Sequence, residues 1–325
     1  MKNILIILIF IASFSGCNPQ LFDVVVAEPE TLKIEVLKPA KINIPKNVKK
    51  LLVIDQSNYL EEPIDHVDLG GTKRIHSRAI SGMLDALSTT ERFEVLVLSN
   101  SAEYKALDYT KKNVEWSSID SICKKFKSDA VIILENARLE GNYRPVPLKY
   151  SYGTHIPGEH YFHFTLKTLW LMFDSKNHEA LKRPVELIGK NYIAENRQDD
   201  IRNNAFKCGE QFAAIISPVW KSYERYFYRI KNIDLLNKAA DLALDNKWKE
   251  AEAIWIKFIN DEREKVARYA SFNLALAYEM QGKLEEALKY ATYAHEELGF
   301  KESKYYQEVL EKRIADQPII QKQLN

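Results

Sequence analysis

His160 and His163 are the closest pair of histidines in the chain. On a strand, residues three apart point to opposite faces, so this pair cannot chelate one ion. Glu61 and Glu62 are adjacent carboxylates in a loop, whereas general acid/base work needs two carboxylates facing one substrate across several ångströms. They read as solvated charges. Asp68-Leu69-Gly70-Gly71-Thr72 lies between an expected strand and an expected helix, where backbone N–H groups could hold an anion. It lacks both phosphate-loop and dinucleotide-loop glycine spacings, so a tight turn with Thr72 as helix cap is the better reading. No Gly-x-Ser-x-Gly elbow occurs. Nothing in this inventory supports an enzyme, and no metal or cofactor is read from it.

The chain has three cysteines, Cys17, Cys123 and Cys208, with no Cys-x-x-Cys, which excludes a zinc ribbon or a thioredoxin-like motif. In an oxidising compartment Cys123 and Cys208 can pair if their Cα atoms lie within about 7 Å. Each falls in a helix-like segment, and two separately buried thiols are the commoner outcome.

Cys17 has a different context. Met1-Lys2-Asn3 is followed by an apolar run from Ile4 to Ala12 and then by Ser15-Gly16-Cys17. A basic start, a short apolar core and small residues ahead of a cysteine make a secretory signal. The core is too short to span a membrane, which takes roughly 20 apolar residues. The Ser-Gly-Cys ending resembles the lipobox of bacterial lipoproteins, which implies cleavage before Cys17 and acylation, with palmitate among the expected chains. An ordinary signal peptide with an incidental cysteine is the alternative. Asn18 is not the aspartate of inner-membrane retention, and the acidic cluster of a surface-export signal does not follow Cys17. The periplasmic side of the outer membrane is the expected location.

The 325 residues carry 46 basic and 45 acidic side chains, interspersed, so no electrostatic case for nucleic acid arises. An apolar fraction of 46% and an aromatic fraction of 11% supply a folded core. Beyond the signal (residues 1–16), residues 17–32 read as a lipidated tether. Ile34, Val36, Ile42 and Ile44 around Pro39 then read as short edge strands. Leu51 to Ile54 reads as a central buried strand, residues 72–88 as a helix with Ile75, Ala79, Ile80, Met83 and Leu87 on one face, and Phe93 to Leu98 as a strand. Ser117 to Phe126 reads as a helix capped by Ser117 or Ser118, and Asp129 to Glu135 as a third strand. A half-solvated strand over Phe162 to Met172, a hairpin turn from Asp174 to Glu179 and a returning strand over 185–193 follow. Residues 199–228 read as a helix, broken if anywhere near Ser217-Pro218.

This order, carried by Lys50-Leu51-Leu52-Val53-Ile54, Arg92-Phe93-Glu94-Val95, Ser128-Asp129-Ala130-Val131-Ile132 and the Thr165–Glu179 hairpin with its turn aspartate, resembles a domain of bacterial envelope lipoproteins. Those are the penicillin-binding-protein activators, the curli-secretion lipoproteins and the N-terminal domain of TolB. The chain as a whole, from Glu35-Val36-Leu37-Lys38-Pro39-Ala40 to Pro218-Val219-Trp220, also resembles an uncharacterised lipoprotein family of Bacteroidota, which transfers no site.

The last third repeats. Trp248 to Ile254 echoes Leu284 to Tyr290 at an offset of 36 from Ala251 to Ala287, close to the roughly 34-residue tetratricopeptide period. Leu274, Ala275, Tyr278, Gly282, Ala287 and Ala294 fit that family's small and apolar positions; in the first copy Asn246 stands where the turn glycine would. The resemblance implies a groove for extended peptides. Asn237 and Asn273, 36 apart, would bond a peptide backbone beside Leu236 and Phe272, and Lys238 or Arg268 would meet a carboxylate. Solvated positions on a packing module are the plainer reading of the same residues, and Tyr269 and Tyr278 read as packing residues.

The expected fold class is therefore α+β, a mixed α/β sheet domain with an antiparallel hairpin, followed by an α-helical tetratricopeptide-like repeat domain. Its segments are 33–230, 231–315 with a capping helix from Lys301, and a polar tail at 316–325. The repeats are expected to dock on the α/β domain through the 199–229 helix. The expected function is a non-enzymatic envelope scaffold, tied to the membrane by its lipid and binding another envelope protein, with no nucleic acid. An enzyme acting on envelope polymers and an oligomeric secretion-pore subunit are the alternatives; Lys167, Lys190 and Asn191 speak against lipid-facing strands in the latter.

Overall fold

The computed structural model describes residues 25–55, 72–99, 114–145, 160–192 and 197–325. Cys17, Glu61-Glu62 and Asp68 to Gly71 lie outside them. The strands are β1 (Ala27–Lys38), β2 (Lys50–Asp55), β3 (Glu94–Ser99), β4 (Ala130–Pro145), β5 (His160–Asp174), β6 (Glu179–Tyr192) and β7 (Val219–Ile230). The helices are α1 (Thr72–Ser88), α2 (Trp116–Phe126), α3 (Arg197–Ile216), α4 (Asp234–Leu244), α5 (Trp248–Trp255), α6 (Glu264–Met280), α7 (Leu284–Glu296) and α8 (Glu302–Leu324). The fold is thus a mixed α/β sheet region with an antiparallel hairpin, followed by a helical region, as the sequence implies.

Five strands form one sheet in the order β3-β2-β4-β5-β6. β2 runs parallel to β3 and β4, and β4, β5 and β6 are antiparallel to one another. The apolar run of β2 is continuous because both its faces are covered. Leu51 and Val53 join Ala130, Ile132, Trp170 and Phe212 in a core beneath α1 and α3. Leu52 and Ile54 join Val131, Ile133 and Ile119 in a second core beneath α2. Strand alternation separates the two sets by one residue.

The chain divides into two compact units, neither continuous in sequence. The sheet unit takes Leu32–Arg225 and Tyr305–Asn325; the helical unit takes Tyr226–Lys304 and the described residues up to Thr31. β1 and β7 pair as a two-stranded sheet, and the division crosses both strands.

Several expectations change. β1 begins at Ala27, so the last six residues of the expected tether are strand, and Ile42 and Ile44 lie outside any strand. Helix α3 stops at Ile216, and the stretch expected to continue it is β7. Pro218 has no N–H to give, and Val219 to Ile230 is rich in aromatic and β-branched residues that suit a strand. The helix expected over 199–229 as the docking element for the repeats therefore ends at Ile216. α2 is capped by neither serine: its N-cap is Glu115, and Ser118 donates instead to the Glu115 carbonyl at 2.9 Å. The expected polar tail is helix, since α8 runs to Leu324. Cys123 and Cys208 do not pair. Both are free and buried, Cys123 in the core under α2 and Cys208 in the core under α3, on opposite faces of the sheet.

Candidate functional site

The helical unit is built from two helix pairs, α4/α5 and α6/α7, packed in sequence order. Their correspondence at 36 residues is physical. Ala239 and Ala275, and Ala251 and Ala287, have no exposed surface, which lets paired helices approach. Both inter-helix turns use a left-handed residue at the same place, Asn246 at φ 59° and Gly282 at φ 76°. Asparagine is among the few side-chain-bearing residues that tolerate this region, so it can replace the glycine.

The asparagines at the next equivalent positions both contact extended chain. Asn273 is fully buried. Its Oδ1 accepts the Tyr228 N–H at 2.7 Å, and its Nδ2 donates to the Tyr228 carbonyl at 2.7 Å. Asn237 accepts from Arg229 Nη1 at 2.6 Å. Arg229 also pairs with Asp241 at 2.8 Å and with Glu30 of β1, and its guanidinium is held above its ordinary pKa, mainly by the Glu30 hydrogen bond. The Tyr228 ring packs on Tyr269, Phe272 and Phe300 at centroid distances of 4.6, 5.6 and 5.6 Å. Phe227 packs on Trp255. Asn273 thus bonds backbone, that of the chain's own β7, whereas Asn237 meets a β7 side chain.

Of the other residues singled out in the sequence, Leu236 and Phe272 are buried in this assembly and Lys238 is exposed. Arg268 donates to the Leu298 carbonyl and pairs with Glu264 four residues back, so its carboxylate partner is internal. Tyr278 stacks on Tyr290, and burial, followed by the Glu252 carboxylate, pushes its phenol up to about 12. Tyr228 and Arg229 escaped the sequence reading. The aromatic run Tyr226-Phe227-Tyr228 after Pro218 is the local signal, but nothing near it in sequence points to a residue 45 positions away.

A second polar cluster joins α2 to the β5–β6 turn in the sheet unit. Ser175 donates to one carboxylate oxygen of Asp120, and His178 Nε2 lies 3.1 Å from the other. Trp116 stacks on the His178 ring at 4.9 Å. The carboxylate stands between hydroxyl and imidazole, so the imidazole does not meet the hydroxyl, and the hydroxyl–imidazole–carboxylate order of an activated serine is not met. The turn itself is fixed by Asp174, which accepts the N–H groups of Lys176 and Asn177 at 2.9 and 3.1 Å. Burial raises the Cys123 thiol, and pushes that of Cys208 up to about 11, so both stay protonated at neutral pH. Among the described residues, no group of three or more His, Cys, Asp or Glu is placed to hold a metal ion, and no helix is long and apolar enough to cross a membrane.

Comparison with known proteins adds two matches of no known activity. Residues 37–185 match the model of a domain of unknown function, DUF8603, and residues 237–312 match another, DUF6340. The first covers most of the sheet region and the second lies within the helical region. No curated protein matches the chain. Among solved structures, two crystal forms of the PelC dodecamer from Paraburkholderia phytofirmans are similar at 12% identity, covering 57% of this chain and 99% and 97% of theirs. Their TM-score is 0.26.

Proposed function

We propose that this chain is a non-enzymatic lipoprotein of the bacterial envelope, anchored through an acylated Cys17 and binding another envelope protein through its helical unit. The pairing of α4/α5 with α6/α7 at a 36-residue offset supports reading that unit as two tetratricopeptide-like repeats. The observation that carries the binding role is where apolar surface remains. The repeat groove is filled by β7, yet Leu235, Leu244 and Ile256 stay 52%, 49% and 40% exposed on the same unit. Three large aliphatic side chains kept in water on a unit whose groove is filled support a partner-binding role for that unit. An acyl anchor would hold the unit near the periplasmic face of the outer membrane and raise the local concentration of both proteins.

Photo-cross-linking in cells tests this. A photoreactive residue at 235, 244 or 256 of the full-length chain should capture one envelope protein, and the same residue at Leu96 or Trp220 of the sheet unit should not. Capture from the sheet positions alone, or no specific capture from any position, would overturn the reading. The anchor is tested separately, by mass spectrometry of the N-terminal peptide: a free Cys17 would sink it.

A further inference from the structure

α7 carries an unfavourable C-terminus. A helix C-terminus favours cations, because its last carbonyls are unpaired and the macrodipole is negative there. Yet Glu296 ends α7 and Glu297 is its C-cap residue, with His295 as the basic side chain of the last turn. Both are exposed, and neither forms an ion pair among the described residues. The two carboxylates line one side of a cleft of about 360 Å³ between α7 and the turn that follows α5. Ile259, Asn260, Tyr290, Thr292 and Tyr293 line the rest of it, with Lys289 as its one cation among the described residues.

The two tyrosines are not equivalent. Tyr290 is already stacked on Tyr278, at 5.4 Å and 11°, and Lys289 Nζ lies 5.5 Å from its ring centroid. Tyr293 makes no ring or cation contact among the described residues, while its hydroxyl is fixed on Asn260 Oδ1 at 3.2 Å. Its ring is therefore oriented but unused. Glu296 and Glu297 follow it by three and four residues, the spacing at which helix side chains are neighbours.

We propose that this cleft seats an arginine side chain of the partner. The planar guanidinium stacks on the Tyr293 ring and its fork meets the carboxylates of Glu296 and Glu297, while the stem of the side chain fills the cleft. The two carboxylates outnumber the Lys289 ammonium, so an incoming cation is favoured by charge as well as by shape. A lysine would gain the charge but not the stacked fork.

This site deepens the protein-binding reading above and rests on it for its biological ligand, but its test needs no partner. The full mature chain, isotope-labelled, is titrated at low salt with N-acetyl-arginine amide, N-acetyl-lysine amide and N-acetyl-alanine amide. The arginine amide should shift resonances of Asn260, Tyr293 and Glu297, with a Kd several-fold below that of the lysine amide and no response to the alanine amide. Glu296→Gln with Glu297→Gln should raise the arginine Kd about fivefold to tenfold, as the loss of two exposed charge pairs predicts. Tyr293→Leu should remove the preference for arginine over lysine. These positions lie at or near the surface, and unchanged resonances elsewhere report an intact fold. Shifts mapping to another face, an equal response to the alanine or lysine amide, or an unchanged Kd in the double glutamine variant would overturn the site. A failed titration beside a captured partner removes only the arginine seat. A positive titration without any captured partner removes the partner.

Discussion

Asn273 is an amide with no exposed surface whose two polar ends both serve one residue, the N–H and the carbonyl of Tyr228. Truncating it leaves a backbone donor and a backbone acceptor unpaired in a buried site, each worth about 1–3 kcal/mol. Asn273→Ala should therefore destabilise the helical unit by about 2–4 kcal/mol in urea unfolding, at the upper end of what single substitutions do. Asn273→Asp should fare no better, because a carboxylate can accept the Tyr228 N–H but repels its carbonyl. A cost near zero in both would mean that β7 is not held there. The 36-residue spacing that marks this asparagine was legible in the sequence. What it bonds was not, since the partner is a backbone group, and backbone groups carry no residue-type signal.

At the scale of elements, the best-read segments were those whose periodicity and punctuation agree. α1 and the turn at Asp174 are examples: the first has one apolar face, and the second an aspartate that accepts two turn amides. The segment after Pro218 was misread because an apolar, aromatic run of moderate length has no period that separates helix from strand. Close packing of α1 on α3 was equally silent. A Cβ on Gly82 would lie 2.0 Å from the Phe206 carbonyl oxygen, and one on Gly209 would lie 1.8 Å from that of Ala79. Alanine gains about 1 kcal/mol of helix propensity over glycine, but overpacking against backbone that cannot rotate away costs about 1–3 kcal/mol and here falls on both helices. Gly82→Ala and Gly209→Ala should each lower the midpoint of thermal unfolding, and a stabilising effect of either would disprove the close crossing. Asp129 ties three elements at one end of the sheet. Burial by itself would raise its carboxyl; the Lys176 ammonium and the N–H groups of Lys49 and Lys50 outweigh that and hold it below its ordinary 3.8. A depressed carboxyl contributes stability that is complete above its ordinary value and disappears as pH falls through the folded one. Asp129→Asn should accordingly weaken the protein at neutral pH and flatten its stability profile below about pH 4. An unchanged acid limb would mean that these bonds do not hold the charged form.

For the molecule as a whole, the boundary drawn from sequence between 230 and 231 follows the onset of the 36-residue repeat, and such a repeat reports local structure only. It cannot show that the chain enters each unit twice. Lys38 pairs with Asp316 at 3.1 Å, and the Gln323 amide meets both main-chain groups of Ala40, at 2.8 and 3.1 Å. Residues 316–325 are thus part of the sheet unit. Deleting them should lower its thermal transition and leave that of the helical unit in place, whereas a solvated tail could be removed without effect. The stronger test is a cut at the sequence boundary. A fragment of residues 231–325 keeps every repeat helix but loses Phe227 and Tyr228, so Trp255, Phe272 and Phe300 lose aromatic neighbours and the buried Asn273 amide loses both partners. It also carries Tyr305–Asn325 without the chain they pack on. Small helical units have little stability to spare, and two helix pairs are fewer than the three or so repeats that usually stand alone. The fragment should show no cooperative melt by circular dichroism, while one spanning residues 226–304, which restores the end of β7 to the asparagines, should recover helicity and a sigmoidal transition. If 231–325 melts cooperatively and the longer start adds nothing, the strand is an ornament on a self-sufficient array, and the groove it occupies is open to outside chains.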